Sequence, residues 1–227
     1  MLSNGLDVRY LIKQMIDRDA SIKLSMKRGL LNIRALARYI KNELENQGYL
    51  EVTLDSIINV IRRCYGKNDA LELKLSEIVR FYERRTMKNK IVDIKLVNDP
   101  EVRRSISTIA SLIDYSKGET LRIIAGVEAI TLIVDEKNVD TVRKYLPKEK
   151  IIRISKDLAE IIISLPPEAE KTPGVVSTLT TELALNGVNL IEIMSCVPEI
   201  IMVVEEKDAL KSYELISRLV KNYAKQT

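Results

Sequence analysis

Apolar residues recur at three- and four-residue spacing through the first 90 positions of this 227-residue chain, then shift to alternation with polar ones. The first pattern is that of helices packing through one face, the second that of half-buried strands. Leu6, Tyr10, Leu11, Met15 and Ile16 mark a first helix, and residues 21–28 a second, short one closed by Gly29. Asn32 is placed to cap a helix carrying Ile33, Leu36, Ala37, Ile40 and Leu44, which Gly48 ends. Thr53 is placed to cap the next, whose Leu54, Ile57, Ile58, Ile61 and Cys64 share a face. Leu71, Leu75, Ile78, Val79 and Tyr82 predict one more.

From Ile91 the order of elements changes. Residues 91–97 alternate as a strand, and Pro100 and Glu101 open a helix through Val102, Ile106, Ile109 and Ile113. Strands over 120–125 and 129–134 form a hairpin around Gly126, and a short helix then ends near Leu146 and Pro147. The same order recurs: a strand over 158–165, a helix through Val175, Leu179 and Leu183, strands over 188–196 and 200–205, and a last helix from Asp208. Two successive βαββα units follow a helical region, so the fold class is α+β with antiparallel sheets. The domains predicted are 1–88, 89–156 and 157–227. A strand over 150–155 is left to complete either unit.

The stretch 171–195 contains Pro173-Gly174-Val175 before a helix and Gly187-Val188-Asn189-Leu190 entering the next strand. Turn, spacing and flanking elements resemble the ACT-domain signature over about 67 residues, and look closest to the regulatory part of aspartokinases. The preceding unit is similar in order but carries Asp99-Pro100-Glu101 at the turn and has no Gly-x-Asn step before Leu121, as a degenerate copy would. The resemblance implies a ferredoxin-like fold, pairing between units, and a ligand site lined by Pro173, Gly174, Val175, Val176, Asn189 and Ile191. Elementary chemistry agrees with part of this. Gly174 permits a left-handed backbone, the first helix N–H groups after it lack intrahelical acceptors and favour an anion, and Asn189 can donate and accept. A small effector such as an amino acid is the ligand implied, and a second copy of the chain the implied partner.

Charge sharpens the division. Residues 1–90 hold 18 basic and 11 acidic residues, a net of +7, and the remainder 18 and 21, a net of −3. Arg34, Arg38, Lys41, Arg62 and Arg63 on the two central amphipathic helices are candidates for phosphate contacts, in a general likeness to helix-turn-helix segments attached to such modules. The segment between those helices is longer than the three- or four-residue turn of a compact DNA-binding pair. A solvated helical surface accounts for the same charges.

The chain has no histidine, which excludes His-dependent nucleophilic sites and the commonest metal ligand. No Gly-rich phosphate loop, dinucleotide fingerprint or zinc spacing is present. No catalytic residue and no cofactor are therefore assigned, and a regulatory protein is expected. A scaffold using the ACT-like units only for pairing is the alternative. Asp135, Glu136, Glu205 and Glu206 read as loop charge rather than metal ligands. Cys64 and Cys196 read as reduced, Met194 and Met202 as core or interface. Apolar runs fall short of a membrane span and no signal-peptide core opens the chain, which places the expectation in the cytosol.

Overall fold

The computed structural model describes residues 4–27, 30–49, 51–65, 78–82 and 84–224, and the chain divides into two compact units, residues 1–76 and 77–227. The predicted apolar positions Leu71 and Leu75, and the Gly29 stop, lie outside the described residues.

The first unit contains α1 (Asn4–Arg18), α2 (Ala20–Lys27), α3 (Ile33–Asn46) and α4 (Leu54–Tyr65). Asn32 accepts from the Ala35 N–H at 3.1 Å and Thr53 Oγ1 from the Ser56 N–H at 3.3 Å, so both predicted caps form. Leu36, Ala37, Ile40 and Leu44 of α3 meet Ile57, Ile58 and Ile61 of α4 in one core, as their spacing predicts. The contribution of α1 agrees with the expectation at Leu11, Met15 and Ile16, which pack in or against this core, and differs at Tyr10. Val8, Ile12 and Ile16, four residues apart, face this core, whereas Tyr10 points outward. Tyr10 lies two residues from both Val8 and Ile12, about 200° around the helix, on the opposite side.

The second unit is one six-stranded, fully antiparallel sheet. Its elements run β1 (Arg85–Val97), α5 (Pro100–Leu112), β2 (Leu121–Ala125), β3 (Ala129–Asp135), α6 (Val139–Arg143), β4 (Ile151–Ser164), α7 (Val175–Leu185), β5 (Glu192–Cys196), β6 (Glu199–Glu205) and α8 (Glu206–Ala224). Strand order is β2-β3-β1-β4-β6-β5. Asp99 caps α5 by accepting from the Glu101 and Val102 N–H groups. Asp208, expected as the cap of the last helix, instead lies inside its first turn.

Two expected strands, 150–155 and 158–165, are one 14-residue strand, β4. Asp157, at φ +56°, interrupts its regularity without ending it. β1 likewise starts at Arg85, earlier than residue 91, and carries Lys90 at φ +57°. The leading half of β4 pairs with β1 through Ile154↔Ile94 and Arg153↔Lys95, and the leading half of β1 pairs with β4 through Arg85↔Ile163 and Met87↔Ile161. The register slips between these halves.

Helices cover one face of the sheet. Val92, Ile94 and Leu96 pack with Val102, Ile109 and Val142 of α5 and α6, and Ile161, Ile163, Met202 and Val204 with Leu179, Leu183, Leu215 and Ile216 of α7 and α8. The opposite face has a strand-built core of Ile91, Ile133, Leu158 and Val203. Asp93 and Glu160 are fully buried beside it. Arg122 of β2 donates its Nε–H to Glu160 of β4 at 2.9 Å, and Lys95 of β1 reaches Glu192 of β5 at 3.6 Å. Each link spans three strand steps, about 14 Å on a flat sheet. The sheet therefore rolls toward this face, and its edge strands help bury the charges.

Candidate ligand-binding site

A cleft of about 680 Å³ opens at the N-terminus of α7. That size suits a small molecule. Its floor and one wall come from Gly174, Val175, Val176 and Ser177 at the start of the helix. Leu165 and Ala169, with Glu170 and Thr172, supply a second wall, and Ser195, Cys196 and Val197 at the end of β5 supply a third.

Local chemistry fixes each wall. Leu165 follows β4 and donates its N–H to the Pro198 carbonyl at 2.6 Å, which ties the strand end to the β5–β6 turn. A 3₁₀ turn over Pro167–Lys171 then brings Thr172 back, with its N–H on Ala169 O at 3.2 Å and its hydroxyl on Glu168 O at 2.8 Å. Gly174 sits at φ +104°, a conformation in which a side chain is strained, and is the N-cap residue of α7. Its carbonyl accepts from Thr178 N–H at 2.9 Å and from the Ser177 hydroxyl at 3.2 Å. Having no side chain, Gly174 caps none of the first N–H groups of α7, so these remain available to an anion in the cleft.

Of the sequence candidates, Gly174, Val175 and Val176 come together in the cleft lining. Pro173 is exposed next to it. Asn189 is exposed and outside the lining, and Ile191 packs on the opposite sheet face against the core of Ile91, Ile133, Leu158 and Val203. Ser195, Cys196, Val197 and Glu170 escaped the sequence reading. The first three are brought beside α7 by the strand order, for which a single sequence carries no local signal.

The basic candidates lie on the helical unit. Arg34 and Arg38 are exposed on α3, and Lys41, half-buried, pairs with Glu45 at 3.4 Å. Their spacing of four and three residues puts them on one outer stripe, away from Leu36 and Ile40. Arg62 and Arg63 are exposed in the last turn of α4. Residues 47–53 separate α3 from α4, which exceeds a compact helix-turn-helix turn.

Asp135 departs from the loop-charge expectation. It is buried, its Oδ1 meets Lys88 Nζ at 2.6 Å, and its Oδ2 accepts from Thr120 N–H at 2.7 Å. Among the described residues no acidic or thiol cluster fit for a metal ion is found, and no helix is long and apolar enough to cross a membrane.

The second unit is thus an ACT-like α+β module with a cleft at one helix N-terminus. Neither a family model nor a curated protein sequence matches the chain. Solved structures do. Aspartate kinase from Synechocystis superposes with a TM-score of 0.50 at 13% identity, covering 75% of this chain and 31% of that one. Aspartate kinase from Clostridium acetobutylicum gives 0.49 at 18% identity, over 60% of this chain and 34% of the enzyme. The regulatory subunit of aspartate kinase from Thermus thermophilus, in its ligand-free form, gives 0.48 at 14% identity, over 60% of this chain and 95% of the subunit. The chain thus spans about a third of the length of the two full enzymes it matches. The likeness to the Synechocystis enzyme is one of fold.

Proposed function

We propose that this chain is a non-enzymatic, cytosolic regulator. In this reading residues 89–156 and 157–227 are paired ACT-type units that sense a small effector, and the helical region reports it to DNA, in a protein that works as a homo-oligomer. The observation that carries the reading is the cleft, with uncapped helix N–H groups at one side and Glu170 in the lining of another. An α-amino acid fits that pair of charges: its carboxylate toward residues 175–177 and its ammonium toward Glu170. Leu165, Ala169, Val176 and Val197 leave room for a short apolar side chain. The basic stripe of α3 and the end of α4 then provide Arg34, Arg38, Lys41, Arg62 and Arg63 for phosphate contacts.

Thermal shift of the full-length protein against each common L-amino acid tests the sensor. One of them should raise the melting temperature, and Ser195→Trp, which fills the cleft from an exposed position, should abolish the shift. Asn189→Ala should leave it intact. A full survey without stabilisation would leave the sheet as a pairing module only. For the output, DNA affinity is measured against salt concentration. In an Arg62→Glu/Arg63→Glu variant the log–log slope should drop by roughly 0.9 for each phosphate that is no longer neutralised. Equal slopes for variant and parent would remove these arginines from the interface.

A further inference from the structure

The first turn of α7 has two sides. Val175, Val176 and Ser177 line the cleft on one. The other is occupied by residues 78–82, the segment that leads into β1. Tyr82 is fully buried and donates its hydroxyl hydrogen to the Val175 carbonyl at 2.6 Å. Thr178, one turn along, hydrogen-bonds the same hydroxyl, and burial pushes its pKa far above the usual phenol value. Ile78 lies against Gly174 so closely that a Cβ there would come within 3.3 Å of its Cδ1. Ile78, Val79 and Tyr82 share a core with Leu179 and Leu183 of α7 and with Leu215 of α8.

The segment is also held from behind. Arg85 donates to the Tyr82 carbonyl at 2.8 Å and to Ser217 Oγ of α8 at 2.7 Å, and its guanidinium stands 5.0 Å from the Tyr213 ring centre. Residues 78–82 are therefore clamped between the cleft's own helix turn and α8. They are also among the first residues of the sheet-bearing unit, continuous in sequence with the helical one.

We propose that Tyr82 is a positioning residue that makes cleft occupancy legible to the chain segment running back toward the helical unit. A molecule seated against residues 175–177 biases the backbone of that turn, and the hydroxyl–carbonyl bond on its far side passes the bias to residues 78–82. Such coupling exists only if occupancy favours one arrangement of the turn over another. The proposal rests on the reading of the cleft as a ligand site, but its test does not need the natural ligand.

Cys196 lines the cleft and is exposed, while Cys64 is the only other cysteine. In full-length Cys64→Ser protein, N-ethylmaleimide on Cys196 places a compact group in the cleft. Hydrogen exchange of the peptide covering residues 78–82 is then compared before and after. Alkylation should change its exchange rate by about threefold or more, a local-opening effect, and Tyr82→Phe should lose that response while β3 and β6 exchange as in the parent. Thr178→Val removes one partner of the same hydroxyl and should weaken the response, which provides a second variant should Tyr82→Phe fold poorly. Complete Cys196 modification without any change at 78–82, or an undiminished response in both variants, overturns the proposal. Amino-acid binding without a response at 78–82 would refute the coupling alone. A response to alkylation with no amino acid bound would refute the ligand reading alone.

Discussion

Arg122→Met puts the rolled sheet to the test. Glu160 is fully buried, and its Oε1 accepts from Arg122 at 2.9 Å, while its Oε2 has no hydrogen-bond partner among the described residues. Removing the guanidinium leaves a buried carboxylate uncompensated. Breaking such pairs costs ~3–5 kcal/mol, and because a quarter of the Arg122 side chain is exposed (26%) water offsets part of it, which puts the expected loss at about 3 kcal/mol. Arg122→Met/Glu160→Leu removes both charges and fills similar volume, so it should recover to within ~1 kcal/mol of the parent. Because the chain has two units, global melting would mix their transitions. Urea-dependent hydrogen exchange of β2 and β4 peptides isolates the sheet. A single variant costing under ~1 kcal/mol, or a double variant as weak as the single, would show that this pair does not hold the edge strand over the face.

Three further outcomes are expected. Burial, reinforced by Glu192 and opposed by Lys95 and Arg153, raises the Asp93 pKa above its ordinary 3.8, so the native state holds a proton that the unfolded chain releases first. That group then costs stability as pH rises past 3.8, and Asp93→Asn should be more stable than the parent at neutral pH but no better below 3.8, by the stability of the sheet from urea-dependent hydrogen exchange at each pH. Lys137 at 2.8 Å and the Asp114 N–H at 3.0 Å hold Glu119 at about 2, below its ordinary 4.5. Its contribution is complete above 4.5 and lost as pH falls toward 2, so Glu119→Gln should flatten the acid limb of the same curve. Gly174→Ala should cost ~1–3 kcal/mol from the left-handed backbone, with exchange protection in α7 falling and that in α3 unchanged.

The pair α3 and α4 was legible because its start signals and the stop of α3 are local. Asn32, Thr53 and Gly48 act within one turn of themselves, and the stripe of Leu36, Ile40 and Leu44 needs no knowledge of its partner. The start of the cleft was legible for the same reason: Gly174 before Val175 announces a helix entry at any position in a fold. Its other walls were not. Ser195 and Cys196 reach α7 because β5 is an edge strand beside β6, and that neighbourhood is a property of strand order. Ile191 shows the converse error. It lies close in sequence to the cleft residues Ser195 and Cys196, but its side chain packs on the sheet face away from the helices, and neither it nor Asn189 lines the cleft.

The leading half of β1 was missed by alternation, and its pairing explains why. Alternation reports a strand with one wet and one dry face. Residues 85–90, Arg-Thr-Met-Lys-Asn-Lys, hold a single apolar side chain, yet they lie against the apolar trailing half of β4, which supplies the burial. Backbone hydrogen bonds to a strand already fixed by its core are enough to hold a polar strand in register. Residues 151–155, Ile-Ile-Arg-Ile-Ser, carry their own apolar side chains, were read as a strand, and lie against the apolar half of β1. Lys90 and Asp157, which among the described residues are the non-glycine positions at positive φ, stand where the two halves of each long strand meet, and the register slip there lets both halves keep their own pairing. Neither helix layer is therefore closed by its own residues alone. The strand that borders the cleft on one side is the same strand that completes the sheet under α5 and α6, so a change in β4 reaches both.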